Sequence, residues 1–264
     1  MKLALAQLDI IFEDKTKNKE TVQQFIKHAV TEKVDMILFP EMTLTGFSMN
    51  TSLIGEIHSE SLEFFKEMSS KFNILIGFGY VEDTLHCKNK YCVVAPSDVP
   101  DGGVLINYTK IHPFSFGNET KFYESGYEIN LFHALDFTIA PFICYDLRFP
   151  EIFQIASKTA SLITVAANWP IDRREHWITL LKARAIENQC FIAGVNRVGE
   201  GNGLNYSGDS MIIDPLGNII STLYMEEGLI IADINKENVT VVRESFWLKK
   251  DRKETLYYNM YSSK

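Results

Sequence analysis

Three ionisable side chains stand where apolar runs of this chain stop. Cys144 follows the strand-like run FTIAPFI (137–143) and precedes the polar stretch Tyr145-Asp146-Leu147-Arg148. Glu41 is the first residue past Met36-Ile37-Leu38-Phe39-Pro40, and Lys110 ends the alternating segment GVLINYTK (103–110). A thiol that attacks an amide or nitrile needs a base, a cation or N–H for the oxyanion, and a proton for the departing nitrogen. Glu, Lys and Cys are residue types that supply these. A sulfur at the start of a helix also lies near unpaired backbone N–H groups, and the N–H of Tyr145 is placed to meet an oxyanion. Lys110 and the helix start lower the thiol pKa, whereas a nearby carboxylate raises it.

The elements that must position these groups alternate. Periodicity predicts strands over 2–8, 36–39, 74–80, 91–95, 104–108, 137–143, 162–167, 191–195, 210–213, 219–224 and 229–233, with a hairpin over 85–90. Helices are predicted over 17–33, 60–72, 150–159 and 173–188, the first with Val22, Phe25, Ile26, Ala29 and Val30 on one face. Strands outnumber helices, which suits two sheets packed face to face with helices outside. Functional groups at strand ends can then converge despite wide sequence separation.

With these segments in order, the chain resembles the nitrilase superfamily of carbon–nitrogen hydrolases. The matching stretches are Phe39-Pro40-Glu41-Met42-Thr43-Leu44-Thr45-Gly46-Phe47, Tyr108-Thr109-Lys110-Ile111-His112-Pro113-Phe114, and Ile143-Cys144-Tyr145-Asp146-Leu147-Arg148-Phe149-Pro150-Glu151. The resemblance implies an α/β, four-layer α-β-β-α sandwich with two packed mixed sheets. It implies that Glu41 is the general base, that Lys110 with the Tyr145 N–H holds the oxyanion, and that Cys144 is acylated. Glu119, in Gly117-Asn118-Glu119, matches a second glutamate common in the loop after the lysine, and is expected to fix Lys110 or the substrate amide. No cofactor is implied, and a homodimer through the helices after Cys144 and Trp177 is.

The stretches 167–177, 180–188, 196–199, 201–203 and 206–210 resemble the omega-amidase branch, which hydrolyses the terminal amide of small oxo-acid amides such as 2-oxoglutaramate and 2-oxosuccinamate. Such a substrate carries a carboxylate, which a guanidinium binds bidentately. Arg173 or Arg174, beside the turn Asn168-Trp169-Pro170, is the expected partner, with Arg173 preferred and Asn168, Trp169 and Phe47 completing the substrate site. Deaminated glutathione or a carbamoyl amine is the alternative substrate, and a silent binding module the alternative of another class.

The remaining features exclude more than they add. The chain has 264 residues, 46% of them hydrophobic, with no linker or repeat, which suits one domain over 1–245 and a tail over 246–264. A net charge of −8 argues against nucleic acid as a partner, since a phosphate backbone demands a basic face. The short apolar start is broken by Gln7 and Asp9 and is expected to be a strand, and no run is long enough to cross a membrane, so a cytoplasmic protein is expected. Cys87 and Cys92, beside His86, lack a second half for a zinc site, so no metal is expected, and Cys190 reads as core. His112 is expected behind the Lys110 strand end and His176 beside Trp177, while Ser210, in Gly208-Asp209-Ser210, is expected to open a strand.

Overall fold

The computed structural model describes residues 1–83, 85–96 and 103–263. In chain order the first half gives β1 (Lys2–Gln7), α1 (Lys15–Thr31), β2 (Met36–Leu38), α2 (Thr51–Ile54), α3 (Glu60–Phe72), β3 (Leu75–Asp83), β4 (Cys87–Val94) and β5 (Val104–Thr109). The second half gives β6 (Phe132–Ala134), β7 (Phe137–Ile143), α4 (Pro150–Ala156), β8 (Leu162–Ala167), α5 (Arg174–Asn188), β9 (Phe191–Asn196), β10 (Val198–Gly201), β11 (Leu204–Ile213), β12 (Ile219–Tyr224), β13 (Gly228–Asp233), α6 (Glu237–Ser245) and α7 (Glu254–Ser262). The apolar start is β1, inside a sheet between β2 and β13.

Two mixed sheets pack face to face. One runs β13-β1-β2-β3-β4-β5; the other runs β10-β11-β9-β8-β7-β6, with β12 on β11. Alternation along a strand decides which layer each side chain enters. On β1, Leu3 and Leu5 join the core shared with the second sheet, while Ala4 and Ala6 face α1 and α3 with Val22, Ile26 and Phe65. Beneath the second sheet, Phe153 of α4 and Trp177, Leu181 and Ala185 of α5 close the same core. The order helix, sheet, sheet, helix is the four-layer α-β-β-α sandwich. Among the described residues, no helix is long and apolar enough to cross a membrane.

Several elements depart from the sequence reading. α1 starts earlier than expected because Asp14 caps it, accepting from the Lys17 N–H at 3.1 Å. Val30, placed on its buried face, is 37% exposed, one residue past the stripe of Val22, Ile26 and Ala29. β6 and β10 are three and four residues long, too short to show a period. β7 tolerates Pro141 because its pairing with β6 ends at Ile139, leaving one side without a partner strand at the proline. The charged run at 249–254 and the tyrosines after it are partly helical, as α7.

The two sheets meet through large apolar side chains. Phe142 of β7 is fully buried, with ring centroids 5.8 Å from Tyr108 of β5 and 4.6 Å from Phe153 of α4. Phe142→Ala is expected to lower the unfolding free energy by about 3–5 kcal/mol, measured by denaturant titration. A loss under about 1 kcal/mol would contradict this packing.

Candidate active site

Glu41 is delivered by a backbone that has left its sheet. The Phe39 N–H still donates to the Gly77 carbonyl at 2.8 Å, and the Tyr91 hydroxyl donates to the Phe39 carbonyl at 3.0 Å. The chain then turns, with Met42 left-handed at φ 46°, and Thr43 N–H returns to the Gly79 carbonyl at 2.9 Å. Gly79 is required here: a Cβ on it would lie 2.4 Å from Met42 N and 2.9 Å from Glu41 Cα. Glu41 is thereby pressed between the sheets.

Lys110 continues the face of β5 that carries Tyr108 into the shared core, and its N–H bonds the Asn89 carbonyl at 2.9 Å. Its ammonium lies 2.8 Å from Glu41 Oε1 and 2.9 and 3.1 Å from Glu119 Oε2 and Oε1. All three side chains are fully buried. Asn89 Nδ2 donates to both carboxylates, at 2.8 Å to Glu41 and 2.9 Å to Glu119, and the Phe114 N–H donates to Glu119. Burial alone would lower the Lys110 pKa, but Glu119 and Glu41 outweigh it and hold the ammonium well above its ordinary value. Burial raises the Glu119 carboxyl pKa, and the Glu41 charge adds to that.

Cys144 comes from the opposite sheet. It follows β7 in a left-handed conformation, φ 44°, and opens a 3₁₀ turn that runs to Arg148. That turn, rather than the α-helix the sequence suggests, lies beside the sulfur, and α4 begins only at Pro150. Asp146 fixes the turn. Its Oδ2 accepts from Ile143 N–H at 3.0 Å and from the Tyr108 hydroxyl at 2.8 Å, and its Oδ1 accepts from His112 N–H at 3.0 Å and contacts His112 Nδ1 at 2.8 Å. One buried carboxylate thus ties the residues flanking Lys110 to the residue before Cys144.

The conflict of influences on the thiol resolves upward. Burial pushes the Cys144 thiol well above its ordinary value, Glu41 adds to this, and Lys110 and the Asn168 N–H oppose it. A thiol raised in this way depends on a base to take its proton, because the thiolate is the nucleophile. The Asn168 N–H, which faces that sulfur, also donates to Glu41 Oε2 at 3.0 Å.

A cleft of about 440 Å³, counted to its open mouth, has Cys144 and Lys110 in its lining. Phe47, Asn168, Trp169, Arg173 and Tyr145 line it, so the residues expected to bind substrate share one wall system. Arg173 and Arg174 separate clearly. Arg174 is held by Asp209, at 2.7 Å to Oδ1 and 2.9 Å to Oδ2, while Arg173 lies over Phe114 at 5.5 Å and lines the cleft. His112 is stacked on Phe149 at 3.7 Å and sits behind the site through Asp146. His176 is not packed beside Trp177: adjacent helix positions point about 100° apart, so Trp177 is buried while His176 is exposed, 3.4 Å from Arg148. Ser210 lies within β11 rather than opening it, donating to the Asn196 carbonyl at 3.1 Å.

Four residues here carried no assigned role in the sequence reading. Asn89 shares the inward face of β4 with Tyr91 and Val93, and that parity was its only signal. Asp146 and Arg148 sit inside the Cys144 motif; Arg148 lines the cleft, 4.6 Å over the Trp169 ring. Tyr206 lines it from β11.

Comparison with known proteins gives consistent results. The family model described as carbon–nitrogen hydrolase matches residues 2–244. The chain is 33% identical to omega-amidase YafV of Yersinia enterocolitica over 249 residues, covering 93% of this chain and 94% of that one. It is 31% identical to a 2-oxoglutaramate amidase of Bacillus subtilis over 258 residues, covering 97% and 98%. A solved CN-hydrolase superfamily protein of Xanthomonas campestris superposes with a TM-score of 0.88 at 29% identity, covering 96% of this chain and 97% of the other.

The raised thiol gives a test by alkylation. The rate of Cys144 modification by iodoacetamide is expected to keep rising above about pH 9, and Glu41→Gln, which removes a nearby negative charge, to shift the profile to lower pH. A plateau reached below about pH 8 in the unaltered protein would contradict it.

Proposed function

The chain belongs to the carbon–nitrogen hydrolase family, and from that premise we propose that it is a thiol-dependent amidase for small omega-amido 2-oxo acids such as 2-oxoglutaramate and 2-oxosuccinamate. The observation that carries the reading is the buried cluster of Glu41, Lys110 and Glu119 beside the Cys144 sulfur, with Lys110 and Cys144 lining a cleft that Arg148 and Arg173 also line. The relatives named for omega-amidase and 2-oxoglutaramate amidase activity support the substrate class.

In this reaction Glu41 takes the Cys144 proton as the sulfur attacks the amide carbon. The carbonyl π electrons move to oxygen, and the Lys110 ammonium and Tyr145 N–H hold the resulting charge. Losing one such donor costs about 3 kcal/mol of barrier, a hundredfold or more in rate. The C–N bond then breaks as protonated Glu41 gives its proton to the nitrogen, and ammonia leaves a thioester on Cys144. Glu41 next takes a proton from water, whose oxygen attacks the thioester. The C–S bond breaks, the sulfur recovers the proton, and the dicarboxylate departs. Glu119 is the positioning residue for Lys110, through its two contacts with the ammonium.

At the far end, Arg173 pairs with the substrate carboxylate. Arg174 is unavailable because Asp209 already holds it. Burial and the neighbouring Arg173 both lower the Arg148 pKa, a strain between two cations that a bound anion relieves. Trp169 and Phe47 wall the aliphatic chain. The reading includes a homodimer through α4 and α5.

Ammonia release across a panel of amides tests the reading. The unaltered protein is expected to favour 2-oxoglutaramate over deaminated glutathione and carbamoyl amines, and Cys144→Ala, Glu41→Gln and Lys110→Met to lose activity by a hundredfold or more. Arg173→Ala should raise KM about tenfold or more for 2-oxoglutaramate and leave an uncharged amide nearly unchanged. Equal effects of Arg173→Ala on both substrates would remove its assigned role.

A further inference from the structure

We propose that Tyr206 is a specificity-determining residue whose hydroxyl donates a hydrogen bond to the 2-oxo oxygen of the substrate, so that the site selects 2-oxo acid amides over amides lacking that oxygen. The inference rests on the amidase reading above and adds to it the group that recognises the second carbon.

Five tyrosines are buried among the described residues. Four have their hydroxyls satisfied: Tyr80 on Asn107 Oδ1 at 3.3 Å, Tyr91 on the Phe39 carbonyl at 3.0 Å, Tyr108 on Asp146 at 2.8 Å, and Tyr123 on the Ser48 carbonyl at 2.6 Å. Tyr206, only 3% exposed, is the exception: among the described residues its hydroxyl makes no hydrogen bond. The hydroxyl is not sealed from solvent, so water serves it in the open cleft and a bound ligand's acceptor can take that place. Tyr206 lines the cleft beside Cys144, Trp169 and Arg173, so a ligand can supply the partner.

The neighbourhood defines what that ligand must offer. The ring is clamped by the Arg197 guanidinium 4.5 Å away, and Arg197 is itself fixed on the Val198 and Glu200 carbonyls at 3.1 and 2.8 Å, so the hydroxyl is held in place. Burial pushes the phenol pKa up to about 12, with Arg197 opposing, so the group stays a donor at working pH. Arg148 and Arg173, which line the same cleft, also only donate. This end of the cleft therefore asks for oxygen acceptors. A carboxylate occupies the cations, and an adjacent carbonyl oxygen meets the neutral phenol. An ammonium at the second carbon, as in glutamine, would face cations instead.

Steady-state kinetics with 2-oxoglutaramate and with glutaramate, which has a methylene in place of the carbonyl, tests the assignment. Tyr206→Phe keeps the ring against Arg197 and removes only the hydroxyl. Its kcat/KM is expected to fall about tenfold for 2-oxoglutaramate, mainly through KM, and to change less than about twofold for glutaramate. An equal fall for both substrates would overturn the proposal. Should the variant fail to fold, the unaltered protein decides: 2-oxoglutaramate and 2-hydroxyglutaramate turned over better than glutaramate supports it, and equal turnover of all three overturns it. Hydrolysis of none of them would bring down the amidase reading itself.

Discussion

An ammonium with no access to water is tolerable only where negative charge and hydrogen-bond acceptors surround it. Lys110 meets that condition through Glu41 at 2.8 Å and Glu119 at 2.9 Å. Two carboxylates beside one cation would in turn be over-charged, so neutral donors complete the arrangement: Asn89 bridges both acids, Asn168 N–H serves Glu41, and Phe114 N–H serves Glu119. Removing one member leaves another buried and uncompensated, which is why the cluster behaves as a unit. The same charges act on Cys144: burial raises its thiol pKa, Glu41 adds to this and Lys110 opposes it.

The two-sheet sandwich makes such a cluster possible. Glu41 and Lys110 follow the ends of β2 and β5 in the first sheet, Asn89 lies within β4 of the same sheet, and Cys144 and Asn168 follow β7 and β8 in the second. Large apolar side chains such as Phe142 and Tyr108 fill the space between the sheets and hold their separation. At the polar rim, Asp146 joins the two by accepting from the Tyr108 hydroxyl and His112 N–H on one side and from Ile143 N–H on the other. The left-handed turn at Cys144 persists because these bonds fix its flank. The apolar core and the reactive polar cluster are continuous, and the packing of one sets the geometry of the other.

Much of this was legible in the sequence because a charge directly after an apolar strand has few solvated places to go. That logic singled out Glu41, Lys110 and Cys144, and the structure brings all three together. The long strands and helices were legible for a similar reason: their periods persist for several turns. What escaped notice lacks a period or a contrast. Asn89 looks like any outward polar residue of a hairpin strand, since parity separates it from Lys88 only once the buried face is known. Tyr206 reads as one more aromatic, and its unpaired hydroxyl exists only in three dimensions. Arg173 and Arg174 are indistinguishable as neighbours until Asp209, thirty-five positions from Arg174, claims one of them. Burial at the sulfur was equally invisible, and it decides the direction of the thiol pKa.

The central claim is that the sulfur of Cys144 carries the acyl group while Glu41 and Lys110 serve the same carbonyl. Intact-mass and peptide mass spectrometry of the protein quenched with acid during turnover of 2-oxoglutaramate tests it most directly. The expected result is an added mass equal to the acyl part of the substrate, confined to the peptide bearing Cys144 and lost in Cys144→Ala together with ammonia release. Ammonia release that persists in Cys144→Ala, with no covalent species in either protein, would contradict the account.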